Sequence, residues 1–157
     1  MSASPSTRRE PPEELAASQA LVLRILWAAF VATQAIFAGI LIFLGPQLAQ
    51  NADPEAAAAM LPVFAAVALS CAGLSLFGVP IIAARQGLDF TTATLLRFAT
   101  AEAVGIFGLV LGFMGVELAY ALAFLGAGAL LILAQLPSDQ SYRRFRDDVR
   151  NARSHER

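Results

Sequence analysis

Four long apolar stretches divide the chain, and short polar segments separate them. They cover residues 21–44, 60–84, 93–115 and 116–136. At about 1.5 Å of rise per residue, each is long enough to cross a hydrocarbon core of about 30 Å as a helix. The pattern predicts an all-α, polytopic membrane protein with four transmembrane helices. Turn and helix-start signals between the stretches are Gly45 with Pro46, Asn51 to Pro54, Arg85 to Gly87, and Gly112 with Gly115.

A cleavable signal peptide is the competing interpretation of the first stretch. The apolar run is longer than the core of a signal peptide, and no convincing small-x-small cleavage site follows it. We therefore expect the first stretch to remain in the protein as a transmembrane helix.

Composition supports a membrane protein and excludes several other classes. Of the 157 residues, 57% are hydrophobic and 15% are charged, and the net charge is -1. Disorder and nucleic-acid binding both need a more polar or more basic chain. One cysteine, Cys71, and one histidine, His155, allow neither an internal disulfide nor a Cys/His zinc cage. We expect no metal and no cofactor. The apolar stretches contain no catalytic constellation, which disfavours an enzyme.

The placement of the arginines predicts the orientation, because short loops rich in arginine stay in the cytoplasm. The loop between the first and second stretches and the turn between the third and fourth contain acidic residues and no arginine. Both termini and the middle loop are then cytoplasmic, with an N-terminal tail over residues 1–20, in the inner (plasma) membrane of a bacterial cell. The arginines on that side are Arg8, Arg9, Arg24, Arg85, Arg97, Arg143, Arg144, Arg146, Arg150, Arg153 and Arg157.

Residues 137–157 form a basic amphipathic tail. Ser138 or Asp139 could cap a short helix in which Tyr142, Phe145 and Val149 share one face. Two interpretations stay open. The helix docks on anionic lipid or a partner protein, or it is a solvated basic tail that only enforces the topology.

Glu102 is the main candidate for chemistry, because it lies near the middle of the third stretch. Burial at that depth favours a protonated carboxyl group unless a cation faces it. Arg97 is a poor partner, since five residues of helix turn its side chain about 140° away. Polar residues at a similar depth could form a pocket around a proton-binding Glu102, namely Gln34, Ser70 and Cys71.

Small residues form a stripe on the third predicted helix, where another helix backbone can approach closely. Similar stripes occur on the second helix at Ala65, Ala68, Ala72 and Ser75, and on the fourth at Ala119, Ala123 and Ala127. We expect these stripes to pack within the molecule rather than between copies. The stripe on the third helix consists of Ala101, Gly105, Gly108, Gly112 and Gly115.

The sequence AEAVGIFGLV from Ala101 to Val110 resembles the carboxylate helix of the proteolipid c subunit of rotary ATP synthases, and the likeness extends over residues 84–113. That helix typically reads A-E-A-L/V-A/G-I-Y/F-G-L-V. Arg85 and Gln86 resemble the family's polar loop, usually R-Q-P. The resemblance implies that Glu102 binds a proton and that Arg85 and Gln86 face a cytoplasmic partner. The second stretch lacks the family's dense glycine repeat, and the first and fourth stretches have no place in its two-helix hairpin.

Two functional hypotheses follow. The first is a small proton-binding subunit of a larger membrane complex, in which Glu102 takes up and releases the proton. The second is a non-catalytic structural or assembly protein that packs against a membrane partner, or a second copy of itself, through its small-residue stripes. In that case Glu102 is a hydrogen-bonding staple.

Overall fold

The computed structural model describes residues 17–50 and 53–154, and within these ranges every element is helical. The all-α prediction is confirmed for this part of the chain. Most of the predicted N-terminal tail, and His155, lie outside the described residues. The elements are α1 (Ala17–Ala49), α2 (Pro54–Gly73), a π-helical turn (Leu74–Gly78), α3 (Val79–Gln86), α4 (Phe90–Phe113), α5 (Leu118–Leu133) and α6 (Asp139–Ser154).

In the part of the chain that the structure describes, three helical segments are long and apolar enough to cross a membrane: Ala17–Gln47, Glu55–Gln86 and Phe90–Phe113. The chain is therefore a multi-pass membrane protein by length and composition. The fourth predicted stretch forms the shorter apolar helix α5, which has 16 residues. It starts late because Gly115 (φ 81°) makes the turn from α4, and it ends before Pro137.

Local signals set most helix ends. The Asp53 carboxylate accepts hydrogen bonds from the backbone N–H groups of Glu55 and Ala56, at 3.0 and 3.2 Å, with Pro54 in the first turn. Gly87 ends α3 in the left-handed region, with φ 67° and ψ 32°. These helices extend beyond the apolar stretches, since α2 begins before residue 60 and α4 before residue 93.

Asp89 caps α4, and its hydrogen bonds shift the pKa of its carboxyl group. Its carboxylate accepts a hydrogen bond from the Thr92 hydroxyl and, at 3.1 Å, another from the Thr92 backbone N–H. The Thr92 hydroxyl bond holds the pKa of the Asp89 carboxyl below its ordinary value of 3.8, against a smaller opposing effect of burial. The charged form of Asp89 is thus the one that stabilises the start of α4.

The predicted end of the first helix at Gly45 and Pro46 is wrong, because α1 continues through Pro46 to Ala49. A proline ring normally disfavours helical geometry at the preceding residue by clashing with its side chain. Gly45 has no Cβ to clash, so the helix passes through the proline and loses one backbone hydrogen bond.

Helix α4 lies at the centre of the bundle and contacts α1, α2 and α5. Phe30 of α1 packs against Phe98 of α4, with ring centroids 5.6 Å apart, and Phe64 of α2 packs against Phe107 at 5.5 Å. Helices α1 and α4 run parallel, whereas α2 and α5 run antiparallel to them. Helix α1 packs chiefly on α4 and α5.

Helix α6 covers one end of the bundle with its apolar face. Tyr142 and Phe145 pack against Phe90 at the start of α4, with ring centroids 5.2 and 5.5 Å apart. Ser138 and Ser141 cap the helix reciprocally, each side-chain oxygen accepting the other residue's backbone N–H. The apolar face predicted for lipid or partner docking is therefore occupied by the chain's own core. We call this end, which brings Arg24, Arg85 and α6 together, the arginine-rich end.

Candidate functional site

Glu102 lies midway along α4, on the flank of the helix beside the fully buried Ala101. Its side chain is half-buried. Within the described part of the chain it makes no hydrogen bond and no ion pair. An unpaired carboxyl group therefore sits at the middle of an apolar helix, where an ionised acid is most costly.

The structure places the three predicted pocket residues in different surroundings. Gln34 is buried, and neither its Oε1 nor its Nε2 has a hydrogen-bond partner among the described residues. Ser70 is exposed and donates to the carbonyl of Ala66 at 2.9 Å. Cys71 is half-buried and free. No described hydrogen bond joins these residues to Glu102, so the polar pocket stays a prediction.

The glycines of the α4 stripe lie where neighbouring helices approach most closely. A Cβ atom added to Gly108 would lie 2.5 Å from the Ala121 carbonyl oxygen, and one added to Gly105 would overlap the Gln34 amide. Gly128 of α5 lies against the α4 backbone, since a Cβ there would lie 2.9 Å from the Gly105 nitrogen. Gly112 is buried and faces Leu41 in the same way. Gly115 differs from the others because it forms the turn after α4.

The small-residue stripes of α2 and α5 behave differently. Ala68 of α2 and Ser75 of the π-helical turn that follows it are buried. On α5, intramolecular packing of the alanine stripe is contradicted, because Ala119, Ala123 and Ala127 are exposed. The face that α5 buries consists instead of Ala121, Leu125, Gly128 and Ile132.

A buried polar cluster joins the π-helical turn, α4 and the end of α5. The Ser75 hydroxyl donates to the Arg97 carbonyl at 3.0 Å, and the Arg97 Nε donates to the Ser75 carbonyl at 3.1 Å. The Gln135 Nε2 donates to the Ser75 hydroxyl oxygen at 2.8 Å. The Gln135 Oε1 is buried without a partner in the described residues. We call these three residues the polar cluster.

The sequence patterns do not predict the polar cluster, although a signal for part of it exists. Arg97 contributes to the predicted orientation and Ser75 to a predicted small-residue stripe, so the sequence predicts neither as a site residue. Counting inward from the turn at Gly87 puts Ser75 and Arg97 at a similar depth, where a buried arginine needs partners. Nothing in the sequence indicates the π-helical turn that carries Ser75, a feature frequent at functional sites.

The two residues matched to a polar loop, Arg85 and Gln86, are exposed in the last turn of α3. Among the described residues, no group of three or more His, Cys, Asp or Glu side chains could hold a metal ion. Comparisons with protein-family models, with curated proteins and with solved structures give no match for this chain. What bears on its function is therefore the arrangement of Glu102 and of the polar cluster.

Proposed function

We propose that this chain is a small multi-pass membrane subunit in which Glu102 binds and releases a proton at the middle of the bilayer. The observation that carries the proposal is the position of Glu102, midway along α4 and half-buried, with no partner among the described residues. Its carboxyl group is neutral while it faces hydrocarbon and ionises when a cation or water reaches it.

The packing around α4 supports a role for Glu102 outside the bundle's own stability. Close contacts of α4 with α1 and α5 run through Gly105 and Gly108. Glu102 lies beside this contact, so a partner protein can reach its carboxyl group from the flank. The same argument disfavours a hydrogen-bonding staple between the chain's own helices, because such a staple would have a bonded partner there.

A topology with four crossings and both termini in the cytoplasm belongs to the same proposal. Helix α5 runs beside α1 from Leu118, near Gly45, to Ile132, whose carbonyl accepts a 2.9 Å hydrogen bond from the Trp27 Nε1. The intervening part of α1 spans about 27 Å at 1.5 Å per residue. Helix α5 therefore extends over nearly the same depth as this part of α1. The arginine-rich end would face the cytoplasm, with the bacterial inner membrane as the proposed location.

A structural or assembly role is the second candidate. The observation that favours it is the exposed alanine stripe of α5, formed by Ala119, Ala123 and Ala127. Such a stripe lets a partner helix approach closely in a membrane. In this case Glu102 could be replaced by glutamine without effect, whereas leucine at Ala123 would release the partner from a co-purified complex.

Reaction with a hydrophobic carbodiimide tests the first proposal, because the reagent modifies protonated carboxyl groups from the lipid phase. The protein is treated in membranes across a pH series, and the adduct is located by mass spectrometry. We expect labelling of Glu102 that declines as pH rises and that is lost in Glu102→Gln. Glu117, which is exposed at the start of α5, serves as the internal comparison. Failure of Glu102 to react at any pH would contradict proton exchange at this carboxyl.

A further inference from the structure

A cavity of about 350 Å³ lies beneath α6 at the arginine-rich end of the bundle. Its walls come from α3, α4, the α5–α6 connection and α6 itself. Glu102 is not part of the lining. The volume falls in the range of small-molecule sites, which lies at about 300–1,000 Å³. This second site is therefore separate from the proposed proton-binding carboxyl.

Two arginines from different helices line the cavity. Arg97 of α4 uses its Nε to bind the Ser75 carbonyl, and no described bond uses its two terminal nitrogens. Arg144 of α6 makes no hydrogen bond or ion pair with any described residue. One carboxylate, Asp148, also lines the cavity and leaves an excess of positive charge. One guanidinium group can donate two parallel hydrogen bonds to the oxygens of a phosphate group, so this lining favours a phosphate group.

Gln135 lines the same cavity, and its side chain carries an unsatisfied acceptor. Gln135 is 7% exposed, and its Oε1 lacks a donor in the part of the chain that the structure describes. Its Nε2 is committed to the Ser75 hydroxyl oxygen, whose proton goes to the Arg97 carbonyl. The amide therefore needs a donor at Oε1, and a buried acceptor without one is costly. A ligand that carries a hydroxyl or ammonium group beside its phosphate would supply that donor.

We propose that this cavity binds a phosphate ester that also carries a hydroxyl or ammonium donor. Arg97 and Arg144 bind the phosphate oxygens, and the Gln135 Oε1 accepts the donor. A glycerophospholipid headgroup and a soluble glycerol phosphate share this chemistry. The site does not depend on the proposed role of Glu102, and either proposal can fail without the other.

Binding is measured by titration calorimetry on the purified full-length protein in a neutral maltoside detergent. The probes are dihexanoyl phosphatidylglycerol, its phosphatidylmethanol counterpart, which lacks a headgroup donor, and soluble glycerol 3-phosphate. We expect saturable binding of one phosphatidylglycerol per chain and weaker binding of phosphatidylmethanol. Binding of glycerol 3-phosphate as well would assign the site to the phosphate ester itself. Binding of the lipid alone would assign it to a headgroup held with its chains.

Two substitutions on α6 separate the cavity from its basic surroundings. Arg144→Gln removes a charge that lines the cavity, and Arg146→Gln removes the same charge from a position outside it. Arg144→Gln should weaken phosphatidylglycerol binding about tenfold or more, the usual effect of losing a charged hydrogen bond. Arg146→Gln should change the affinity by less than about twofold.

Three results would overturn the proposal. Equal losses in Arg144→Gln and Arg146→Gln would indicate general attraction to a basic helix. Equal affinities for phosphatidylmethanol and phosphatidylglycerol would show that Gln135 accepts no hydrogen bond from the ligand. Lack of saturable binding of both phosphatidylglycerol and glycerol 3-phosphate would refute the site as a whole.

Discussion

Substitution of Gly108 by alanine probes the closest backbone approach in the bundle. A Cβ there would lie 2.5 Å from the Ala121 carbonyl oxygen and 2.8 Å from the Phe124 Cβ. Both atoms are fixed to the α5 backbone, so neither can rotate away. An ordinary contact begins at 3.4 Å, and α4 and α5 would have to separate by about 1 Å to reach it.

The size of the effect follows from two opposing contributions. Overpacking of this kind costs about 1–3 kcal/mol, whereas alanine gains about 0.5–1 kcal/mol over glycine within a helix. Gly126 of α5 is the matched control, because an added Cβ would have nothing within 4 Å. Gly126→Ala should therefore be slightly stabilising. The gain in helix propensity cancels when the free energies of unfolding of the two variants are compared. The remaining difference, about 1–3 kcal/mol, is the cost of the close contact at residue 108.

Trp27 provides the assay, since it is the only tryptophan in the chain and its Nε1 donates to the carbonyl of Ile132 in α5. Its fluorescence follows the α1–α5 contact during unfolding by a denaturing detergent in mixed micelles. The free energies of unfolding of wild type, Gly108→Ala and Gly126→Ala are then compared. Equal stability of the two variants would refute the close approach of α4 and α5 on which the expected difference rests.

Two further predictions concern polar side chains. Asp89→Ala should lower the free energy of unfolding by about 0.5–2 kcal/mol at neutral pH, whereas Asp89→Asn should retain most of the cap. The pKa of Asp89 is lowered below 3.8 in the folded protein, so its contribution to the free energy of unfolding is full above that value and is lost as pH falls through the folded pKa. Asp89→Asn should not show this loss in unfolding curves between pH 3 and 7. Gln34→Met should stabilise the protein by about 1–3 kcal/mol in the same unfolding assay, because both polar atoms of the buried amide lack partners among the described residues. A less stable Met variant would contradict this reasoning.

The helix starts and stops were predictable where a few neighbouring residues determine them. Asp53 followed by proline caps α2, and Gly87 ends α3 in the left-handed conformation that glycine adopts easily. The helix end predicted at Pro46 is wrong because the effect of a proline depends on the residue before it. The apolar stretch over residues 116–136 overstated the length of the fourth helix, since apolar residues such as Val116 and Leu136 lie outside α5 at its two ends.

Contacts between distant parts of the chain were not predictable. The polar cluster joins residues 22 and 60 positions apart, so no local pattern can indicate it. The amphipathic pattern of α6 correctly places Tyr142 and Phe145 on one face. The same pattern suits a lipid surface and the end of a helical bundle, and only tertiary packing distinguishes the two. The exposed alanine stripe of α5 shows the same ambiguity for small residues.

The central position of α4 has a consequence for how the protein is made. During synthesis α1 and α2 emerge first, yet α1 packs chiefly on α4 and α5, and α2 packs on α4. The first two helices must therefore enter the bilayer as independent units, each stable by its own hydrophobicity. Assembly begins only when α4 inserts, and α6 closes over the cavity last. A ribosome that stalls before Phe90 would leave two unassembled helices in the membrane as substrates for quality-control proteases.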